Sequence, residues 1–194
     1  EGIAEVLPLD MNSIKKNPID DYGKEKFKCE LYLKEEFLKN NFGVEEVILH
    51  GICIGSATAI QTLTAKEGCP KYFKAMIADG MYLTFRESFK NHIIDNGKPV
   101  FPVLQETMYL IKRKCGVDVT HDGPKFRVGK LDRPILFLYT KQDKFSRPID
   151  GQYLYDNCNA YKKLVWFEKG NHSHIRINAE TAYDTAIVQF LKDI

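Results

Sequence analysis

The sequence predicts an α/β fold: a mainly parallel sheet with helices on both faces and a helical lid inserted near the strand ends. Three observations predict it. Short apolar runs of strand length alternate with longer stretches of helical period, the pattern of strand–helix–strand crossovers. A tight turn, Gly51-Ile52-Cys53-Ile54-Gly55, joins one apolar run to a helix start. Between the third and fourth apolar runs lies an interval, 81–133, far longer than a single crossover requires.

Each element follows in order. Ile3 to Leu9 is expected to form a first strand ending at Asp10, although Pro8 fits poorly inside a central strand. Residues 21–40 have helical spacing, with Phe27, Leu31, Leu38 and Phe42 set among charges. Val47 to His50 is expected as the second strand and Ile54 to Lys66 as the next helix. Ala75 to Asp79, Pro134 to Thr140 and Leu164 to Phe167 supply three more apolar strands. The last helix has one continuous apolar stripe through Ala179, Ala182, Tyr183, Ala186, Ile187, Phe190, Leu191 and Ile194. The long interval holds two amphipathic stretches, Phe85/Phe89/Ile93 and Leu104/Met108/Ile111, punctuated by Pro99, Pro102 and Pro124. The expected organisation is a core made of 1–80 and 134–194, with 81–133 as the lid.

Composition bounds the function. The chain has 194 residues, 44% hydrophobic and 28% charged, enough for one well-filled core and unlike a disordered segment. The net charge of +2 gives no argument for nucleic acid. No apolar run is long enough to span a bilayer as a helix, and a cytoplasmic location is the expectation, with any signal or anchor upstream of Glu1 outside this sequence. The lid interval carries 10 Lys/Arg and 6 Asp/Glu, a balance of +4. That is read either as a solvated basic face or as attraction for an anionic substrate or surface. Five cysteines, at 29, 53, 69, 115 and 158, lack CxxC spacing, which suggests neither a disulfide framework nor a zinc site.

Cys53 stands apart from the other four. It lies between small residues where a strand gives way to a helix, the setting of a nucleophile elbow. A thiol at a helix N-terminus is biased towards thiolate by the dipole. A cysteine nucleophile needs a base and a group to orient that base. Asp143 follows the fourth expected strand, and His172 follows the fifth within Gly170-Asn171-His172. Each candidate follows its own strand, so all three should meet at the C-terminal edge of the sheet. Four alternatives stay open at this point: Ser56 as nucleophile, His174 as base, Asp79 as acid, and His50-Gly51 as an oxyanion loop. His92 and His121, in the lid interval, are expected at the surface.

Together the elbow, Asp143 and Gly170-Asn171-His172, in the order nucleophile, acid, histidine, resemble the α/β-hydrolases, and particularly the bacterial branch with a lid between the sixth and seventh family strands. The resemblance covers nearly the whole chain from Leu9-Asp10 onward. It implies Cys53 as nucleophile, His172 as general base and then acid, Asp143 as the orienting carboxylate, and the Ile54 amide as one oxyanion donor. It implies hydrolysis or transfer of an acyl group from a small-molecule ester or thioester, with no metal or organic cofactor. Two departures accompany it. Cysteine replaces the family serine, as in the dienelactone hydrolases. The family's first three strands, with the loop giving the second oxyanion amide, have no counterpart here, so the core is similar to an N-terminally truncated one. A segment upstream of Glu1, or a second chain, is then expected to cover the sheet edge, and the isolated 194 residues are expected to be a poor catalyst. The other class of function is a binding or interaction domain with the same fold and little or no catalysis.

Overall fold

The computed structural model describes residues 43–65, 71–116 and 118–194. The expected Ile3 to Leu9 strand, the 21–40 helix, Asp10, Cys29 and Cys69 lie outside them. Four strands form the sheet: β1 Val47–Ile52, β2 Phe73–Asp79, β3 Ile135–Thr140 and β4 Lys162–Phe167. They lie in sequence order, and every pairing is parallel. Helix α1, Ile54–Leu63, links β1 to β2, and α5, Pro148–Asp156, links β3 to β4. After β4 come a short α6, Ile175–Asn178, and α7, Glu180–Lys192. Between β2 and β3 stand α2, Phe85–Asp95, α3, Val103–Cys115, and the single turn α4, Pro124–Arg127, with a 3₁₀ turn at Val128–Lys130.

The strands form where they do because both faces of the sheet are covered. All six residues of β3 are buried, as expected of a central parallel strand. Alternate side chains serve opposite layers. Met76, Ala78, Ile135, Phe137 and Tyr139 pack with Ile60 and Leu63 of α1 and Leu154 of α5. Ala75, Ile77, Leu136 and Leu138 pack with Ile175 of α6 and with Tyr183 and Phe190 of α7. Helices on both faces thus follow from a period-two pattern in the strands.

Several boundaries differ from the sequence expectation. The strand expected from Ala75 begins at Phe73, and that expected from Leu164 begins at Lys162. Lys162 is not apolar, but its ammonium donates to the Tyr155 and Cys158 carbonyls, both at 2.7 Å, which ties the strand start to the end of α5. Helix α1 stops at Leu63, with Thr64 capping it, rather than reaching Lys66. The stripe on α7 is narrower than expected: Tyr183 and Phe190 are fully buried, whereas Ala182 and Leu191 are exposed. A helix lying on one sheet face buries a single line of side chains, so the flanks of the stripe remain outside.

The register places the chemistry. Ile52 is level with Asp79, and Asp79 with Leu138. Thr140 is level with Phe167. Cys53, Gly80, Asp143 and His172 all follow these strand ends in the chain, so they gather on one edge.

Candidate active site

Cys53 sits between β1 and α1 with φ 53° and ψ −112°. A non-glycine residue at such angles is strained by about 1–3 kcal/mol and is held there by its surroundings. The restraints are explicit. The Cys53 N–H donates to the Asp79 carbonyl at 2.8 Å, and the Cys53 carbonyl accepts from Ala57 N–H at 3.2 Å. Ser56 Oγ donates to the Gly51 carbonyl at 2.6 Å and lies 3.3 Å from the Asp79 carbonyl. Ser56 is fully buried and engaged in bracing the turn, so it has no nucleophile's exposure. The Cys53 side chain makes no capping bond to its own helix, which leaves the thiol available. The Ile54 N–H lies in the first turn of α1, where no intrahelical carbonyl reaches it.

The two motif glycines are not equivalent. A Cβ on Gly51 would lie 2.4 Å from Ser56 N and 2.5 Å from the Gly55 carbonyl carbon, both backbone atoms of α1. A Cβ on Gly55 meets nothing within 4 Å. Only Gly51 is needed for the close approach of strand and helix.

Asp143 lies in the loop after β3 and is 4% exposed. Its Oδ1 accepts from the Phe145 N–H at 2.8 Å and the Ser146 N–H at 2.9 Å. Its Oδ2 accepts from His172 Nδ1 at 2.7 Å. Two backbone donors fix the carboxylate before it meets the ring, so the ring takes its orientation from the loop. The Ser146 hydroxyl ties that loop to the Gly80 carbonyl at 2.7 Å. Thr140 Oγ1 donates to the Gly170 carbonyl at 2.9 Å, which joins the end of β3 to the histidine loop.

The His172 ring is held at Nδ1, while its Nε2 is buried and has no hydrogen-bond partner among the described residues. The Cys53 thiol nonetheless raises the ring pKa, through a side-chain interaction and then through its charge. Burial is the largest single influence and would lower the imidazole pKa. The hydrogen bond to Asp143 and the interaction with Cys53 outweigh it and leave the pKa at about 10. The ring is therefore cationic at neutral pH, and an imidazolium is the partner that stabilises a thiolate. The edge of the Phe145 ring packs on His172 with centroids 5.4 Å apart.

The other sequence candidates are separated by their partners. His174 is exposed, with Nδ1 turned to the His172 carbonyl at 2.7 Å. His50 Nε2 meets the Tyr183 hydroxyl at 2.9 Å. Asp79 bonds Tyr183 Oη at 2.8 Å and not the His172 ring. His92 is exposed and stacked on Phe145, centroids 3.7 Å apart, and His121 is exposed beside Asp118. Residues that sequence reasoning did not single out also bear on the site. Asn91 of α2 donates to the Phe145 carbonyl at 3.0 Å, latching the lid interval to the acid loop. Tyr82 lies close enough to Cys53 that burial, and secondarily the cysteine's charge, push its phenol up to about 12. Each of these is a contact between distant segments, with no local signal in the chain.

No protein-family model matches the chain. A Bacillus subtilis (strain 168) protein, the uncharacterized protein YqkD, is 24% identical over 159 residues, which is 81% of this chain and 52% of the relative. The chain thus spans about half the length of the curated relative it matches. Among solved structures, the Pyrococcus furiosus esterase Pf2001 superposes with a TM-score of 0.61 at 13% identity, over 84% of this chain and 60% of that one. MGS-MChE2, an alpha/beta hydrolase enzyme from a lagoon-sediment metagenome, gives 0.57 at 19% identity, over 97% and 76%. The Exiguobacterium antarcticum esterase EaEST gives 0.53 at 13%, over 79% and 69%. With its parallel sheet, helices on both faces and strained turn at Cys53, the chain has the α/β-hydrolase fold.

Proposed function

We propose that this chain carries the catalytic core of a hydrolase or acyltransferase that works through a covalent acyl-Cys53 thioester. One observation supports it above the others. A strained cysteine at the N-terminus of α1 stands at the same sheet edge as an imidazole locked at Nδ1 by Asp143 and unpartnered at Nε2 among the described residues. Structural histidines normally satisfy both nitrogens when buried, whereas one that hands its Nε2 proton to a leaving group keeps that nitrogen free for substrate.

The steps follow from the groups present. The Cys53 thiolate attacks the acyl carbonyl carbon of an ester or thioester, forming a C–S bond. The oxygen becomes an oxyanion and accepts from the Ile54 N–H. Collapse breaks the bond to the leaving group, which takes the proton from His172 Nε2. Water then enters, gives its proton to Nε2 and attacks the thioester carbonyl, and the Cys53 thiolate departs. Asp143 holds the ring in the productive tautomer throughout. The lid, residues 81–133, selects the acyl substrate: its helix α2 reaches the acid loop through Asn91 and His92.

The test is turnover of p-nitrophenyl acetate and an acyl thioester by the wild type, Cys53→Ala and His172→Gln. The reading expects a burst of product matching one site per chain, absent from both variants. Retention of the burst in Cys53→Ala would end the reading. The other reading, a binding domain without catalysis, predicts no burst in any of the three.

A further inference from the structure

One buried polar network is not used by the steps above. Asp79, 2% exposed, ends β2. Its main-chain carbonyl holds the Cys53 N–H. Its neighbour Gly80, at φ +55°, is pressed so near the other two groups that a Cβ there would lie 3.6 Å from His172 Nδ1 and 3.7 Å from Asp143 Oδ2. The Asp79 carboxyl stands beside this pair as a second acid. Its Oδ2 accepts from Tyr183 Oη at 2.8 Å, and its Oδ1 is buried without a partner among the described residues. Tyr183 in turn lies 2.9 Å from His50 Nε2, whose residue is exposed on β1. The three side chains make a continuous path from the sheet surface to the Asp79 carboxyl, which feels the His172 charge.

We propose that Asp79 is a positioning residue that couples its own charge to His172, and that Tyr183 and His50 set when that charge is present. The proposal rests on the triad reading only for its effect on Cys53. The path has two proton arrangements. With Asp79 ionised, the His50 Nε2–H donates to the Tyr183 oxygen and the Tyr183 O–H donates to Asp79. With Asp79 protonated, the carboxylic O–H donates to Tyr183, the Tyr183 O–H donates to His50 Nε2, and the His50 proton sits on Nδ1. No proton is gained or lost in the interior except the one Asp79 takes up. A negative Asp79 favours the imidazolium of His172, and the thiolate that the imidazolium supports.

The groups facing Asp79 from each element agree with this. Burial raises its pKa to about 6, the Tyr183 hydrogen bond and the His172 charge oppose that, and the Asp143 charge adds to it. Burial, and then the Arg176 charge from α6, lower the His50 pKa, which favours the neutral ring that can change tautomer. Arg176 is itself paired with Asp184 at 2.9 Å, so its charge stays fixed over the same pH range. Asp79 thus titrates near pH 6 within the path.

The experiment follows the His172 Hε1 resonance by NMR from pH 4.5 to 9 in this chain, with the Cys53 iodoacetamide rate measured alongside. The wild type should show a step near pH 6 in the resonance and a rise in rate of about two- to tenfold, the range one neighbouring charge exerts in a partly buried site. Asp79→Asn should remove the step. Tyr183→Phe keeps the ring in the core but removes the donor to the carboxylate, so it should move the step to higher pH. His50→Asn should move it the same way by less. A step that persists in Asp79→Asn, or that does not move in Tyr183→Phe, overturns the proposal. Tyr183→Phe decides alone if Asp79→Asn does not fold. If Cys53 proves unreactive, the resonance step still reports the coupling, so failure of the triad reading and failure of this one are distinct results.

Discussion

Replacing the two elbow glycines one at a time separates a steric requirement from a motif. At Gly51 an added Cβ would lie 2.4 to 2.6 Å from three backbone atoms of α1. Ordinary contact begins near 3.4 Å, so strand and helix must part by about 1 Å. Overpacking of that kind destabilises by about 1–3 kcal/mol. For a chain of this size that is about 2–4 °C in Tm per kcal/mol. At Gly55 the Cβ enters open space within α1, and the exchange of helical Gly for Ala should stabilise by about 0.5–1 kcal/mol. The two variants should therefore shift Tm in opposite directions. Activity should diverge more sharply, because a displacement of about 1 Å at a reacting group costs roughly 100-fold. Differential scanning calorimetry and the p-nitrophenyl acetate burst measure both effects. A Gly51→Ala protein with wild-type stability and turnover, or a Gly55→Ala protein as damaged as Gly51→Ala, would refute the view that close approach at Gly51 shapes the elbow.

Four further outcomes are expected. Asp143→Asn removes the main group opposing burial at His172, so the ring should become neutral at pH 7.5 and iodoacetamide labelling of Cys53 should slow at least tenfold, read by peptide mass spectrometry. The folded-state His172 pKa, about 10, lies above the ordinary 6.5, so its contribution to stability is full below about 6.5 and is lost as pH rises through 10. Urea midpoints should fall more steeply over that window in the wild type than in His172→Gln. Asp79 is raised from 3.8 to about 6, so the fold favours its neutral form and that contribution is present below 3.8 and gone above 6. Asp79→Asn should then be more stable than the wild type at pH 7.5, by at most about 3 kcal/mol, and should lose that advantage at pH 4. In timed labelling Cys53 should react ahead of Cys115 although Cys115 is exposed, and Cys158, whose thiol burial pushes up, should come last.

The strands were legible because burial on two faces demands uninterrupted apolar runs, and Ile135 to Thr140 is one in both sequence and structure. Their ends were less so. Lys162 joins β4 because its ammonium finds carbonyls at the end of α5, which composition cannot reveal. The single turns α4 and α6 are too short for any periodicity to show. Cys53, Asp143 and His172 were legible as residues that each follow a strand. What was not legible is the arrangement behind them. Asp79 and Tyr183 are 104 residues apart, and Asn91 and Phe145 are 54 apart, and neither pair has a local pattern. The motif also presents Gly51 and Gly55 as equals, and only the approach of α1 to β1 tells them apart.

The most direct test of the covalent mechanism is intact-protein mass spectrometry after rapid acid quench of the chain mixed with p-nitrophenyl acetate. Peptide mapping then locates any added acetyl group. The mechanism predicts a transient acetyl on Cys53, which accumulates further in Cys53→Ser if the oxygen ester forms and deacylates more slowly. It also predicts no transient acetyl in Cys53→Ala. An acetyl group found on another residue, or turnover with Cys53 never modified, would contradict it.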